Sequence, residues 1–329
     1  MKHFLLYNLL LFILFGCTDK CENENIISEN IEVKAFRFDQ KIRNARSEND
    51  VKTIFNEAPA FEEFFLKHHF PSQGILYKEM YKLGSNQDIE VLFNEVDKKY
   101  ADFSDVEKEL STLFRRVKYY YPEFKAPQIV TFVSGFGGYD LVVSEGLIII
   151  GLDYFLGEKA KFKPNDFPAY ILKHYEKENI TSKIAYFIAQ RYAEENLKDD
   201  SMLAQMIFHG KVYEFTKTMM PCAPDSLIVE YSKEDLELSS QLDGFTWSFF
   251  QKNKLFFTTD NTIITKYIDN RPHTLEIGEK CPGRIGRWMG YEIVKSYVDN
   301  NDVSIQELMK TNDANLIFNK SKYKPQNQL

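Results

Sequence analysis

Histidine is scarce in this chain, and its few copies are badly spaced for metal chemistry. The 329 residues hold six: His3, His68, His69, His174, His209 and His273. No two lie four apart. That excludes the His-Glu-x-x-His helix, which aims two imidazoles at one zinc and a glutamate at its water. The helix expected after Thr181 carries no ligand over residues 184–190. His174 and Glu178 are four apart, but Asn179 and the surrounding charge predict a solvated turn there. The adjacent His68 and His69 point to different faces of a helix and do not chelate. His209, before Gly210, reads as a partly buried polar residue.

Other signatures are missing too. There is no Gly-x-Ser-x-Gly elbow for a nucleophilic serine. The glycine-rich residues 134–140 precede a strand rather than a helix and have no Lys-Ser or Lys-Thr, so they predict a wide β-turn or bulge, not a phosphate loop. No internal repeat and no Pro/Ser-rich linker divides the chain. Positive charge is not in excess: 41 Lys and Arg stand against 48 Asp and Glu, a formal net charge of −7. Such a balance offers a phosphate backbone no broad attraction, which excludes nucleic acid as a partner. The sequence predicts no catalytic residue, no metal and no cofactor.

Cysteine is sparse, with four copies. Cys17 and Cys21 have the spacing of a metal pair, but no second pair accompanies them. Cys222 and Cys281 both lie in proline-flanked segments, Pro221-Cys222 and Cys281-Pro282. Export would permit a disulfide between them; two reduced thiols are the alternative.

Hydrophobic and aromatic residues are plentiful. Met1, Lys2 and His3 form a basic start, and residues 4–15 form an apolar run interrupted only by Tyr7 and Asn8. That run falls short of the roughly 20 residues that span a bilayer, and it reads as the core of a secretory signal peptide. Cys17 follows Gly16 directly. This suits lipoprotein processing, with Cys17 acylated on its thiol, made residue one by cleavage, and acylated again on its amine. Several acyl chains give stable anchoring where one does not. Residues 1–16 are therefore expected to be a lipoprotein signal peptide, 17–30 a lipidated polar tether, and 31–329 a single α/β domain.

The 28 Phe and 19 Tyr argue for a packed body. A strand is predicted near residues 31–38, then helices from about 48 to 121 with apolar stripes at Phe61, Phe64, Phe65 and Leu66, and at Leu110, Leu113, Phe114 and Val117. Ser104 is predicted to open the last of these with a capping box. Strands are expected at residues 129–133, 141–143 and 147–150. Helices follow, capped by Thr181, Ser201 and Ser232. The final large one begins near Pro282-Gly283 and carries Gly283, Arg284, Gly286, Arg287, Trp288 and Gly290. Its glycines allow close backbone packing; failing that, this face is a candidate docking helix. The expected fold is helix-rich α+β, a small β-sheet packed with many helices.

An ordered series of motifs then stands out. It comprises Phe208-His209-Gly210-Lys211-Val212-Tyr213, Met219-Met220-Pro221, Trp247-Ser248-Phe249-Phe250, Leu255-Phe256-Phe257-Thr258-Thr259-Asp260, the run from Cys281-Pro282-Gly283 through Trp288-Met289-Gly290, and Asn319-Lys320-Ser321-Lys322-Tyr323-Lys324-Pro325. With the leader, this series resembles the gliding-motility-associated lipoprotein family GldB of Bacteroidota. The resemblance implies a lipoprotein of the cell envelope, needed for gliding motility and linked to the type IX secretion machinery. It also implies a scaffold distantly similar to zinc peptidases. Here the metal motif is missing, and His209-Gly210 stands where a peptidase relative would show Glu-Gly. His209, Lys211 and Glu214 then mark a vestigial pocket.

The expected role is a non-enzymatic assembly or stabilising factor, lipid-anchored at the outer membrane and facing the periplasm. Its expected partners are the membrane, through the lipid, and other gliding-motility or type IX secretion proteins of the envelope. Two alternatives remain: a zinc-peptidase-like hydrolase built from residues such as His209, Glu214, His174 or Glu178, and a peptidoglycan or glycan binder using Trp247 and Trp288.

Overall fold

β-Branched and apolar runs in the middle of the sequence build a four-stranded sheet: β1 (Ala35–Arg37), β2 (Gln128–Phe132), β3 (Leu141–Val143) and β4 (Leu147–Gly151). The computed structural model describes residues 30–325; the leader, Cys17, Cys21 and nearly all of the expected tether lie outside the described residues. The strand order is β1-β2-β4-β3, with β1, β2 and β4 parallel and β3 antiparallel to β4. Phe36 pairs with Val130, Val130 with Ile149, and Ile149 with Val142. Every residue of β4 is buried, as a central strand covered on both faces requires.

Helices fill the rest, so that 58% of the described residues are helical and the fold is helix-rich α+β. Between β1 and β2 run α1 (Phe38–Arg43), α2 (Glu48–Asn56), α3 (Pro59–His68), α4 (Gln73–Gly84), α5 (Glu90–Tyr100) and α6 (Ser104–Tyr120). After β4 come α7 (Ala169–Leu172), α8 (Asn179–Tyr192), α9 (Met202–Met219), α10 (Asp225–Ile228) and α11 (Lys233–Lys252). The chain closes with α12 (Asn261–Ile268), α13 (Ile285–Asn301), α14 (Ile305–Lys310) and α15 (Ala314–Ser321). Phe38, Phe61, Phe65 and Phe132 pack ring on ring, with centroids 4.9–5.9 Å apart, and join the first helices to the sheet. On α6 the predicted stripe of Leu110, Leu113, Phe114 and Val117 is buried.

Three local expectations are corrected. The N-cap of α6 is Phe103, and its side chain makes no capping bond; Ser104 already lies inside the helix, its amide donating to Asp102 Oδ1 at 2.9 Å. Thr181 is likewise inside α8, which starts two residues earlier. Its hydroxyl donates to Glu109 Oε2 at 2.7 Å, joining α8 to α6.

Residues 134–140 do not turn β2 back on itself. They carry the chain past β4 to the far edge of the sheet, where β3 pairs with β4. Gly135 and Phe136 both adopt positive φ, +69° and +62°. This curls the loop around the buried Asp153, whose Oδ2 accepts from the Phe136 and Ser134 amides at 2.9 and 3.1 Å. Burial pushes the Asp153 carboxyl up, against the pull of those amides.

The expectation of close packing holds at Gly283, where a Cβ would lie 1.9 Å from the Arg271 carbonyl oxygen, and at one helix crossing. α9 and α13 meet backbone to backbone. A Cβ on Gly210 would lie 2.3 Å from the Gly290 carbonyl oxygen, and one on Gly290 would lie 2.0 Å from that of Met206. No other residue type fits there. Ser201 caps α9, and Ser232 caps α11 through a reciprocal box with Asp235, both as the sequence predicts.

Candidate functional site

Three segments enclose a cleft of about 1010 Å³. One wall is α6, the second is the stretch from Lys173 into the start of α8, and the third is the chain from Met219 to Ser232. Proline decides the third wall. Pro221 stands just beyond α9, and Pro224 caps the short α10; between them the backbone makes a turn, closed by the Ala223 amide donating to the Met220 carbonyl at 3.0 Å, and residues 219–224 line the cleft. Leu113, Met219, Met220 and Leu227 give it an apolar floor.

Charge lies along α6. Asp105 and Glu109 stand near its start, and Arg115 and Arg116 near its end. At 1.5 Å per residue, this separation is about 16 Å. The two carboxylates are engaged, Asp105 by Lys177 at 2.7 Å and Glu109 by Thr181. Arg115 bonds only to its own helix, through the Ser111 carbonyl at 3.1 Å and the Thr112 hydroxyl at 3.4 Å, and among the described residues no carboxylate pairs with it. Lys108 and Lys173 add exposed cations to the rim.

The cleft's imidazole is His174; the predicted turn is there, with Glu178 exposed, but the His174 ring is not solvated on all sides, being half-buried between this cleft and a smaller one lined by Arg271, His273 and Arg284. Burial, then the nearby Arg284 and Lys183, bring its pKa down to about 4, against the pull of Glu230. Glu230 itself is gripped by Lys183 and by Arg284, whose Nη1 lies 3.1 Å from Oε2. Burial alone would raise that carboxyl, but Lys183 and Arg284 outweigh it and hold Glu230 far below the usual carboxylate range. Arg284 also donates to the Glu230 carbonyl and lies over the Tyr231 ring. The Tyr231 hydroxyl donates to the Gly283 carbonyl at 2.6 Å. His174 makes no hydrogen bond through its ring to a hydroxyl, thiol or carboxylate among the described residues. Nor does any group of three His, Cys, Asp or Glu there have the placement to hold a metal ion.

The vestigial pocket expected at His209, Lys211 and Glu214 does not assemble. The three lie on α9, but successive positions of a helix face different ways, and none of them lines the cleft. His209 Nδ1 bonds to the Tyr186 hydroxyl at 2.8 Å. The Lys211 ammonium is buried and donates to the Glu194, Thr311 and Met309 carbonyls at 2.7, 2.9 and 3.2 Å. Burial brings its pKa down to about 8. Glu214 has its pKa raised to about 7, mainly by burial. Of the residues offered for a hydrolase, the cleft therefore collects His174 and Glu178 and omits His209 and Glu214.

Cys222 and Cys281 are not bridged; Cys222 is exposed at the cleft, and Cys281 is buried beside Thr274. The docking face expected from Gly283 to Gly290 is corrected as well. Arg284, Gly286, Trp288 and Gly290 are all buried, and Arg287 donates to the Ile268 carbonyl at 2.6 Å. Trp247 packs among Phe256, Phe318 and Tyr323. Neither tryptophan offers a sugar an open stacking face.

What the sequence missed is the cleft itself. Its only trace was the Met219-Met220-Pro221 motif, since walls drawn from three distant segments leave no common spacing. A second groove lies alongside, lined by residues 30–34 and sharing Lys108 and Arg115 with the first. The incoming chain is fastened to α6 there, the Val33 amide donating to Ser111 Oγ at 2.9 Å and the Ala35 amide to Glu107 Oε1 at 2.8 Å.

Among the described residues no helix is long and apolar enough to cross a membrane. No curated protein and no solved structure matches the chain. A family model described as gliding motility protein GldB matches residues 19–325, and the chain belongs to that family.

Proposed function

We propose that this GldB-family chain serves gliding motility as a non-enzymatic assembly or stabilising factor, acylated at Cys17 and held at the outer membrane facing the periplasm, beside the type IX secretion machinery. One observation carries the reading. The cleft has the parts of a recognition surface, a methionine-rich floor between charged walls, while its imidazole lacks the partners that catalysis needs. An activated nucleophile requires a base in hydrogen-bond reach and a third group to orient that base. His174 has cations behind it instead, and they oppose its taking up a proton. Confinement to a membrane surface raises the effective concentration of a partner held on the same surface. A binding body there promotes assembly without chemistry.

The test is complementation of a non-gliding strain that lacks the chain. Cys17→Ser is expected to lose incorporation of labelled palmitate and to fail to restore gliding. His174→Ala and Glu178→Ala, expressed at normal levels, are expected to restore it. Hydrolysis of a peptide or glycan by the purified chain, abolished in either of the latter two, would overturn the non-enzymatic role, a readout that weakened binding in the same cleft does not mimic.

A second reading has one observation in its favour: His174 and Glu178 share the cleft. A hydrolase using them needs further ligands or a nucleophile. Stoichiometric zinc in the purified chain, lost in His174→Ala, would support it.

A further inference from the structure

The large cleft carries an imbalance that the fold does not use. Of the carboxylates on its α6 wall, Asp105 and Glu109 are both satisfied from within the protein. Arg115, by contrast, stands beside an apolar floor without an acidic partner among the described residues. A guanidinium held against apolar surface is a ready receptor for a carboxylate, which it can grip with two parallel N–H donors.

The floor says what else the occupant must bring. Met219 and Met220 are unbranched and polarisable, and such side chains adjust to differing apolar shapes. The trough runs about 16 Å along α6, the length of roughly five extended residues at ~3.3 Å each. It is open along that length, with Lys108 and Cys222 exposed at its edges. A single acyl chain is better served by a closed tunnel that shields it from water on all sides.

We infer that this cleft is a docking groove for a partner polypeptide: a short apolar segment whose side chains fill the floor from Leu113 to Leu227 and whose carboxylate, from Asp, Glu or a chain end, is received by Arg115. The inference deepens the scaffold reading by giving the chemistry of the bound partner, and it rests on that reading. Lys108, on both this groove and the one where the chain's own residues 30–34 lie, reinforces the attraction from the rim.

The experiment places a photoreactive amino acid at position 227 of the full chain in gliding cells, and as a control at Leu275, which is 62% exposed and lies outside the groove. Adducts are mapped by mass spectrometry. At position 227 they are expected on an apolar stretch within about five residues of a carboxylate, the span of the trough. Their yield is expected to fall about tenfold or more in Arg115→Glu, the charge-assisted contact having become a like-charge one. Adducts at position 275 should not change. Lys108→Glu, an exposed rim substitution, repeats the charge reversal if Arg115→Glu lowers the level of the chain. Adducts on phospholipid or glycan, absence of adducts at position 227, or yields indifferent to both reversals would overturn the groove. Failure of the scaffold reading shows separately, as zinc bound to the purified chain, and leaves the adduct pattern unaffected.

Discussion

Glu230 and Arg284 hold each other from two left-handed backbone positions, with φ of +53° and +60°. Each conformation costs a non-glycine residue about 1–2 kcal/mol. The ion pair locks the two bends together, 54 residues apart in sequence, and sets the back wall behind His174. Glu230→Gln should leave Arg284 and Lys183 facing a neutral amide in a largely buried site. Loss of one member of such a pair costs about 3–5 kcal/mol. Urea denaturation should show that loss, and a change below about 1 kcal/mol would mean that water reaches the pair freely.

Backbone contact at the crossing of α9 and α13 ranks three substitutions. Gly290→Ala and Gly210→Ala drive a methyl into a carbonyl that cannot move without its helix, so each is expected to destabilise by about 3 kcal/mol or more, at or beyond the usual range for overpacking. Gly286→Ala meets the Ile268 methyl at 2.9 Å, the end of a flexible side chain, and the Tyr267 carbonyl oxygen at 3.1 Å, a looser backbone approach than at the crossing, and should cost less than the other two, about 1–2 kcal/mol. Thermal melts of the three variants check the order.

Lys211 ties three carbonyls together at one point; Lys211→Met should leave those of Glu194 and Thr311 without their donor, while that of Met309 keeps the Glu194 amide. With about 1–3 kcal/mol for each unsatisfied group, a loss of about 2 kcal/mol or more is expected. Arg at this position should not rescue it, because its planar fork does not match three converging carbonyls. Hydrogen exchange at the Glu194 amide, which donates to the Met309 carbonyl, would report local opening.

Acid and base act on different groups. Glu214 and Glu292 both have pKa values raised to about 7, first by burial, with Lys295 opposing it. In the unfolded chain they titrate near 4.5, so the folded state binds more protons between those values, and stability falls as pH rises from about 4.5 to 7. Glu214→Gln should therefore stabilise the protein at pH 8, by up to about 3 kcal/mol at 1.36 kcal/mol per unit, and have little effect at pH 4. His174 works the other way. Its folded pKa near 4 lies below the ordinary 6.5, so its contribution is present above pH 6.5 and is lost as pH falls toward 4. Melting curves of Glu214→Gln and His174→Gln from pH 4 to 8 should diverge from the parent in opposite directions; parallel curves would refute both assignments.

The sheet and the amphipathic helices were legible because period and β-branching are local. β2, β3 and β4 fell within a residue or so of the expected strands, and the α6 stripe faces the core as its spacing requires. The glycine pair at 210 and 290 shows the limit: spacing along one helix points to Gly290 as a packing position, while the matching role of Gly210 depends on a partner helix about 80 residues away. Cap positions at Ser104 and Thr181 misled for different reasons: α6 starts one residue early, with the local Asp102 accepting from the Ser104 amide, and the Thr181 hydroxyl is taken by Glu109 of another helix. The cleft was hidden for a similar reason. Met219, Arg115 and His174 share no spacing, and their meeting follows from how α6, α8 and α9 cross.

The fastening of residues 33 and 35 to α6 bears on how the molecule sits in the envelope. The 13 residues from Cys17 to Glu29 have a contour length of at most about 45 Å at ~3.5 Å each. Any pull on the chain that precedes residue 30 would reach the body at the flank of α6 that also borders the trough, so that tension and partner binding would meet on one helix.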